Sequence, residues 1–328
     1  MPYASSHSVQ GKDQYPITKH ESQKRTRNAK SAKEFLNKTL PKILRSSKRA
    51  RDGIAASRLI VNPPVRQEPS APGQANTQSS PICCKVADTL EVAWELSQKH
   101  IKGRIAILNM ASPLRPGGGI LTGATSQEES LCSRTTLYPS LRDEFYRLPE
   151  IGGVYSPDVL VCCGWDSPSP DLLPMNKRFF LDVVTAAMLR FPDLSDEPVI
   201  DGSGGAEQAY TEEADRGLML DKMRAVMRIV HSNGVDGLVL GAWGCGAYRN
   251  PVREIAQGWE KVLLGVTRGK RARELWPGIE VVFAIKNRKM AEQFVAYWAE
   301  DILLSTDFSS DSKRIDTQEM ENGGGRVK

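Results

Sequence analysis

Three consecutive glycines precede a pair of glutamates in the stretch RPGGGILTGATSQEESL, at residues 115–131. Glycine has no Cβ and adopts positive φ freely, so Gly117–Gly119 would let backbone N–H groups approach an anion such as a diphosphate. A carboxyl group held beside a bound sugar can donate and accept a proton, which makes Glu128 and Glu129 candidate catalytic residues. The glycines alone would also fit a mobile loop, but QEE placed just before a helical pattern favours a binding and catalytic device.

A second glycine-rich segment, GAWGCGAYRNP, occupies residues 241–251. Gly244 and Gly246 permit the same close approach of backbone to a diphosphate, and the Tyr248 ring could stack on a sugar or a base. The segment lacks the Gly-Lys-Ser/Thr ending of a P-loop and the sequence context of a dinucleotide fingerprint. Two other interpretations stay open: a tight strand-to-helix turn, and a nucleophilic Cys245, for which no histidine supplies a recognisable partner motif.

Strand and helix patterns alternate along residues 81–304, which predicts an α/β fold with a buried sheet. Both glycine segments follow apolar runs, and ligands of such sheets bind beyond the carboxyl ends of the strands. Asn109 lies near the end of the first run, where its amide could bind a sugar hydroxyl, and Asp88 suits a helix N-cap. The expected strands are ICCKVAD, RIAILNM, VYSPDVLVCC, RFFLDVVTAAM, DGLVLGA and GIEVVFAIK, and the expected helices are TLEVAWELSQKH, ESLCSRTTLYPSL, residues 211–232, VREIAQGWEKVLLG and RKMAEQFVAYWAEDIL.

The rest of the chain is expected to flank this domain. Apolar residues recur at three- and four-residue steps between Ser22 and Leu59, which predicts helices there, interrupted at Pro41. The predicted segments are a disordered basic tail, a helical extension, a Pro/Ser-rich linker, a catalytic domain with a surface insertion, and a second polar tail. They cover, in that order, residues 1–20, 21–60, 61–80, 81–304 with the insertion at 193–210, and 305–328.

Positive charge is concentrated near the N-terminus. Residues 1–60 contain fourteen Lys/Arg and four Asp/Glu, a local net charge of +10, although the whole chain carries only +5. Such an arm could bind nucleic acid or another polyanion, serve as a nuclear-localisation signal, or remain a solvated surface. No aromatic residue interrupts its KRTRNAK and RSSKRAR clusters, as a base-stacking surface would require.

The composition is typical of a globular protein, with 40% hydrophobic and 25% charged residues. No apolar run approaches the roughly 20 residues that cross a membrane, and the first residues lack the apolar core of a secretory signal. The six cysteines match neither a disulfide framework nor a zinc motif, so we expect reduced thiols in the cytoplasm or the nucleus. No metal or other cofactor is expected.

Three segments together, LNMASPLRPGGG…SQEESL, YSPDVLV and LVLGAWGCGAYRNP, resemble the microbial, or bacterial-type, poly(ADP-ribose) glycohydrolases. The resemblance covers roughly residues 25–303 and implies a macrodomain-like three-layer α/β/α fold with a mixed central sheet and a helical N-terminal extension. It implies that Glu129 is the catalytic acid and that Glu128 positions the ribose. Further substrate contacts are implied for Asn109, Gly117, Gly118, Gly119, Gln127, Gly244, Cys245, Gly246, Ala247 and Tyr248, and a contact to adenine for Asp88.

The implied activity is cleavage of ribose–ribose O-glycosidic bonds, preferentially at the terminal ADP-ribose, by a monomer without membrane partners. Such a bond breaks through an oxocarbenium-like state and needs a proton for its leaving oxygen, which a carboxyl group supplies. Two alternatives stay open: hydrolysis of a single or terminal ADP-ribose on a protein, and a non-catalytic ADP-ribose reader, against which QEE argues. The segment CCGWDSPSP and the 193–210 insertion depart from the family pattern, and we expect both to reshape the rim of the cleft.

Overall fold

A mixed β-sheet of eight strands forms the centre of the described part of the chain. The computed structural model describes residues 18–65, 82–167, 170–197, 199–200, 206–265, 274–298 and 302–305. The sheet order is β1-β4-β5-β3-β8-β9-β2-β10, in which β1 and β4 run antiparallel to their neighbours and the other strands are parallel. The strands are β1 (Arg58–Val61), β2 (Ile82–Lys85), β3 (Ile105–Met110), β4 (Gly152–Val161), β5 (Phe179–Ala186), β8 (Gly237–Leu240), β9 (Glu280–Ala284) and β10 (Leu303–Ser305), and a separate hairpin pairs β6 (Val199–Ile200) with β7 (Ala206–Glu207).

Helices cover both faces of this sheet because its central strands are apolar on both sides. Strand β3, for example, is buried from Ile105 to Asn109. One face packs against α4 (Thr89–Lys99) and the short α5 (Gln127–Cys132), and the other against α6 (Glu213–Ser232), α7 (Val252–Leu264) and α8 (Arg288–Ala296). The predicted three-layer α/β/α architecture with a mixed sheet is therefore confirmed.

The N-terminal extension differs from its prediction in two places. Helix α1 (Lys19–Glu34) passes without a break through a π-helical turn, Phe35–Thr39, into α2 (Leu40–Ser46). The predicted interruption at Pro41 is wrong, because the wider π turn relieves the conflict of a proline ring with the preceding turn. The chain bends instead at Ser47, before α3 (Lys48–Ala55).

Two segments that were predicted to end helices contain edge strands instead. Leu59, predicted to end a helix, belongs to β1, which pairs with the first residues of β4. The closing helix ends at Ala296, and Leu303, the last residue predicted for it, begins β10, which pairs with β2. Local apolar spacing cannot distinguish these edge strands from helix ends, since their partners are distant in the sequence.

The two departures from the family pattern lie at opposite edges of the sheet. CCGWDSPSP follows β4, whose carboxyl end meets the amino end of its antiparallel partner β5. The prediction that it reshapes the cleft is therefore wrong, because the glycine segments follow β3 and β8 at the other edge. The 193–210 insertion follows β5 at the edge where the glycine segments lie. Its Glu207 carboxylate accepts the N–H groups of Val252 and Arg253 at 2.7 and 3.0 Å.

No helix among the described residues is long and apolar enough to span a membrane. The predicted tails and linker fall largely on residues 1–17, 66–81 and 306–328, which lie outside the described residues.

Candidate active site

Two glycine loops meet at the carboxyl edge of the sheet. The first, residues 112–126, follows β3, and the second, residues 241–251, follows β8. Strands β3 and β8 are parallel neighbours, so both loops emerge side by side. This placement is the one at which open α/β sheets bind ligands.

The first glycine loop wraps directly around the two glutamates. Gly118 has φ +55°, and a Cβ at this position would lie 2.6 Å from Glu128 Oε2 and 2.6 Å from Glu129 Oε1. The Gly119 N–H donates to Glu129 Oε1 at 2.6 Å, and the Ser126 hydroxyl donates to the other oxygen of Glu129. The glycines therefore seat the carboxyl groups, in addition to any contact that they make with a ligand.

Glu128 is almost fully enclosed, with only 2% of its surface exposed. Its Oε2 accepts the Ser112 N–H at 2.8 Å, whereas its buried Oε1 has no hydrogen-bond partner among the described residues. Burial, to which the charge of Glu129 adds, raises the pKa of Glu128 to about 8 despite the hydrogen bond from Ser112. Glu128 is therefore a neutral acid at pH 7, with a free oxygen able to donate or accept a hydrogen bond.

Asn109 and Gln127 lie behind these carboxyl groups and differ in whether a polar atom of the side chain lacks a hydrogen-bond partner. Asn109 is fully buried, its Nδ2 donates to Thr185 Oγ1 at 3.2 Å, and its Oδ1 has no partner among the described residues. Gln127 instead uses both ends of its amide on β3, accepting from Met110 N at 2.9 Å and donating to Leu108 O at 2.8 Å. The buried Oδ1 of Asn109 thus lacks a hydrogen-bond partner among the described residues, while the hydrogen bonds of Gln127 indicate a residue that positions α5.

The second loop closes the site from the other side. The Tyr248 phenol lies near Ser112 and the two glutamates, and burial raises its pKa. The amide N–H groups of Gly246 and Ala247 have no hydrogen-bond partner among the described residues, and a Cβ on Gly246 would meet nothing within 4 Å. The loop thus offers free donors beside an aromatic ring, as an anionic sugar ligand requires.

Gly244 and Cys245 of the second loop make close contacts within the protein itself. Gly244, with φ +82°, has Asn250 Nδ2 2.5 Å from its potential Cβ, so a side chain has no room there. Cys245 packs partly into the core below the loop, and burial raises the pKa of its thiol. A protonated thiol is a poor nucleophile, so the alternative of a catalytic Cys245 receives no support.

Asp88 occupies the predicted N-cap of α4 at the carboxyl end of β2. Its Oδ1 accepts the Leu90 N–H at 2.8 Å, and its Oδ2 pairs with the largely exposed Lys286 at 3.1 Å. A carboxylate accepts up to about four hydrogen bonds, so these contacts leave capacity for the amino group of a base. Asp88 lies three strands from β3 along the sheet, at a distance suited to the far end of an extended ligand.

Three further residues of the site are not indicated by the sequence patterns described above. Ser126 precedes α5 as its N-cap residue and holds Glu129, and its position directly before QEE was the available signal. Arg190 and Phe191 follow β5 and adjoin Tyr248, and no pattern in their own segment indicates this contact. No cluster of metal-binding side chains occurs among the residues that the structure describes.

Comparisons with known proteins agree with this fold. Residues 23–162, which include the first glycine loop and QEE, match the family model "Microbial-type PARG, catalytic domain", so the resemblance predicted from the sequence is confirmed. The poly(ADP-ribose) glycohydrolase from Thermomonospora curvata, also solved with the inhibitor ADP-HPD, has a TM-score of 0.60, 22% identity, and coverage of 83% of this chain and 98% of that chain. The enzyme from Deinococcus radiodurans in complex with ADP-ribose has a TM-score of 0.52, 22% identity, and coverage of 76% and 96%. No curated protein sequence matches the chain.

Proposed function

Because residues 23–162 carry the microbial-type PARG catalytic domain, we propose that this chain hydrolyses the ribose–ribose O-glycosidic bonds of poly(ADP-ribose). The observation that carries the proposal is the seating of Glu128 and Glu129 against Gly118, between the two loops. A protein that only bound ADP-ribose would have no use for two buried carboxyl groups at the sugar end of its pocket. Binding alone is served by backbone donors and aromatic rings.

In the proposed reaction, the terminal ADP-ribose lies along the edge of the sheet. Its adenine approaches Asp88, and its diphosphate approaches the free N–H groups of Gly246 and Ala247. Its distal ribose then lies between Tyr248 and the glutamates, where the unpartnered oxygen of Asn109 can accept from a sugar hydroxyl. Each contact uses an atom that the protein itself leaves free or accessible.

Glu129 is the proposed acid and base. It donates a proton to the bridging oxygen while the bond from that oxygen to the anomeric carbon breaks, and water adds to the resulting oxocarbenium-like carbon. Glu129 then accepts the proton of that water, so that ADP-ribose and a shortened polymer leave. Glu128, neutral at pH 7, holds a ribose hydroxyl through its free Oε1 and adds no negative charge beside its neighbour.

Preference for terminal units is supported by the position of α1. The helix packs onto the end of the first glycine loop so closely that a Cβ on Gly123 would lie 1.9 Å from Arg25 O, and Asn28 Nδ2 donates to Gly123 O at 3.4 Å. We expect a helix fixed there to obstruct one side of the proposed cleft, so that an internal unit with chain on both sides would not fit. The product distribution tests this: early release of ADP-ribose monomers supports it, and early release of oligomers contradicts it.

Glu129→Gln tests the catalytic assignment. We expect a loss of about 10²–10⁴-fold in the rate of polymer hydrolysis, the usual contribution of a positioned acid or base, with ADP-ribose affinity preserved. Glu128→Gln is the matched control, because its amide can replace a neutral carboxyl as hydrogen-bond donor and should lose much less activity. A larger loss in Glu128→Gln than in Glu129→Gln would transfer the acid role to Glu128, and full activity in both would refute the mechanism. A protein bearing a single ADP-ribose, offered beside the polymer, tests the alternative substrate.

The compartment and the basic arm belong to the same proposal. The six cysteines all carry free thiols, which supports a reducing compartment, the cytoplasm or the nucleus.

On α1, Arg25, Lys30 and Lys33 line an open groove of about 600 Å³, suited to a polyanion such as the polymer or a nucleic acid. Size-exclusion chromatography, with one peak at the mass of a monomer, would support the monomeric state.

A further inference from the structure

An exposed phenylalanine lies at the rim of the candidate active site. Phe191 follows β5 at the carboxyl edge of the sheet and is 55% exposed. Its φ is +51°, a conformation that costs a bulky L-residue on the order of 1 kcal/mol. A hydrogen bond from Phe191 N to Tyr248 O, 3.0 Å long, ties this strained residue to the second glycine loop. The fold thus holds a large apolar ring in solvent at the cost of backbone strain.

Two arginines surround this ring. The guanidinium of Arg190 lies 5.7 Å from the ring centre of Phe191 and 5.5 Å from that of Tyr248, whose rings are 6.4 Å apart. The guanidinium of Arg249 lies 6.0 Å from Phe191, and Arg249 also has a positive φ, +60°. Neither arginine has a carboxylate partner within 4 Å in the described part of the chain. Their charges therefore remain available to an anion.

A groove of about 490 Å³ opens on the outer side of Phe191. Phe191, Pro192 and Leu194 give it an apolar wall, and Arg249 is a further lining residue. Asp193 and Glu207 contribute carboxylates, of which that of Glu207 accepts the N–H groups of Val252 and Arg253. Its volume is within the range of pockets that hold small ligands. A flat ring that carries an amino group, attached to a diphosphate, matches this combination: the ring stacks, the amino group donates to a carboxylate, and the arginines bind the phosphates.

We propose that Phe191 and its groove bind the adenine of the second ADP-ribose unit, the one from which the terminal unit is cleaved. This inference rests on the proposed function, because it places the scissile bond between Tyr248 and the glutamates. The second unit begins at that bond, and Phe191 is the next ring outward from Tyr248. Arg190 and Arg249 lie beside the diphosphate of this unit. The groove gives the enzyme a preference for polymer over shorter substrates.

Phe191→Ala tests the subsite. Stacking of a base on an aromatic side chain is worth about 1–3 kcal/mol, so kcat/KM for the polymer should fall by about 5- to 150-fold. The affinity for free ADP-ribose, measured by calorimetry, should stay unchanged, because the terminal unit does not reach Phe191. Phe191→Trp should restore the rate and Phe191→Leu should not, since leucine keeps apolar surface without an aromatic face. Met175→Ala, which removes an exposed apolar side chain at the opposite edge of the sheet, should behave as wild type.

The outcomes separate this inference from the function on which it rests. Unchanged kcat/KM in Phe191→Ala, with an intact fold by thermal unfolding, would overturn the subsite. A parallel loss of ADP-ribose affinity would also overturn it, because Phe191 would then contact the terminal unit. Binding of a single-stranded oligonucleotide that competes with the polymer and depends equally on Phe191 would assign the groove to nucleic acid. A wild-type enzyme that neither cleaves polymer nor binds ADP-ribose would instead refute the proposed function.

Discussion

Gly118→Ala adds one methyl group at the point where the first glycine loop touches both carboxyl groups. The new Cβ would lie 2.6 Å from an oxygen of Glu128 and 2.6 Å from an oxygen of Glu129, whereas ordinary contacts begin at 3.4 Å. Both oxygens, or the loop, must therefore move by about 0.8 Å. Neither carboxyl group can move without loss, because Ser112 N and Gly119 N hold the contacted oxygens at 2.8 and 2.6 Å.

The cost in stability has two parts. The positive φ of Gly118 costs an L-residue about 1–2 kcal/mol, and overpacking of a filled site costs about 1–3 kcal/mol. We therefore expect the free energy of unfolding to fall by about 2–5 kcal/mol, which urea denaturation can measure. Gly217→Ala is the matched control, because a Cβ there meets nothing within 4 Å on an exposed turn of α6. The free energy of unfolding of Gly217→Ala should rise by about 0.5–1 kcal/mol.

The cost in activity follows from the same displacement. A misplacement of about 1 Å at a catalytic group lowers rates by about 10²-fold, so kcat for polymer hydrolysis should fall by that order in Gly118→Ala. The affinity for ADP-ribose should fall less, since the proposed contacts of adenine and diphosphate lie at Asp88 and in the second glycine loop. Release of ADP-ribose, followed by chromatography at a temperature where the variant is folded, gives the rate. A folded variant with kcat within threefold of wild type would show that Gly118 does not position the catalytic carboxyl groups.

Two further predictions concern single atoms of the site. The folded-state pKa of Glu128, about 8, lies above the value of about 4.5 for an unburied glutamate, so its contribution to stability is complete below pH 4.5 and is lost as the pH rises to 8. Glu128→Gln should therefore flatten the pH dependence of unfolding in this window and exceed wild-type stability near pH 9; an unchanged profile in thermal scans would contradict the buried neutral acid. Gly246→Ala should leave the unfolding temperature unchanged, because the space around it is open, yet weaken ADP-ribose binding if the diphosphate approaches this backbone. Equal calorimetric affinities for wild type and Gly246→Ala would move the diphosphate away from Gly246.

The parts of the fold predicted correctly are those whose signals are local. The buried run of β3 and the capping residue Asp88 each follow from a short stretch of sequence, and so does the amphipathic α6. The edge strands β1 and β10 were missed because their extended form depends on partners far away in the chain. The same reason explains the error at CCGWDSPSP, whose distance from the cleft follows from the antiparallel direction of β4 and not from its own residues.

The features of the candidate site likewise divide into those that local sequence patterns predicted and those that depend on tertiary contacts. Glycine patterns and the QEE spacing predicted that both loops and both glutamates belong together, and the structure places them at one edge of the sheet. The contacts of individual atoms could not be predicted from these patterns. The Gln127 amide forms hydrogen bonds with β3, and Gly118 lies against carboxyl oxygens of its own chain. The position proposed for Phe191 could not be predicted either, since it depends on a positive φ and on a hydrogen bond to Tyr248.

The two adjacent glutamates have distinct environments although they share one turn of α5. Neighbouring helical residues point in directions about 100° apart, so one side chain can enter the core while the next reaches the loop. Glu128 enters the core beside β3, where burial keeps it neutral, and Glu129 faces Gly119 and Ser126 at the loop. Gly118 lies between these two environments and contacts both carboxyl groups. A neutral Glu128 adds no like charge beside Glu129, which suits the acid and base role proposed for Glu129.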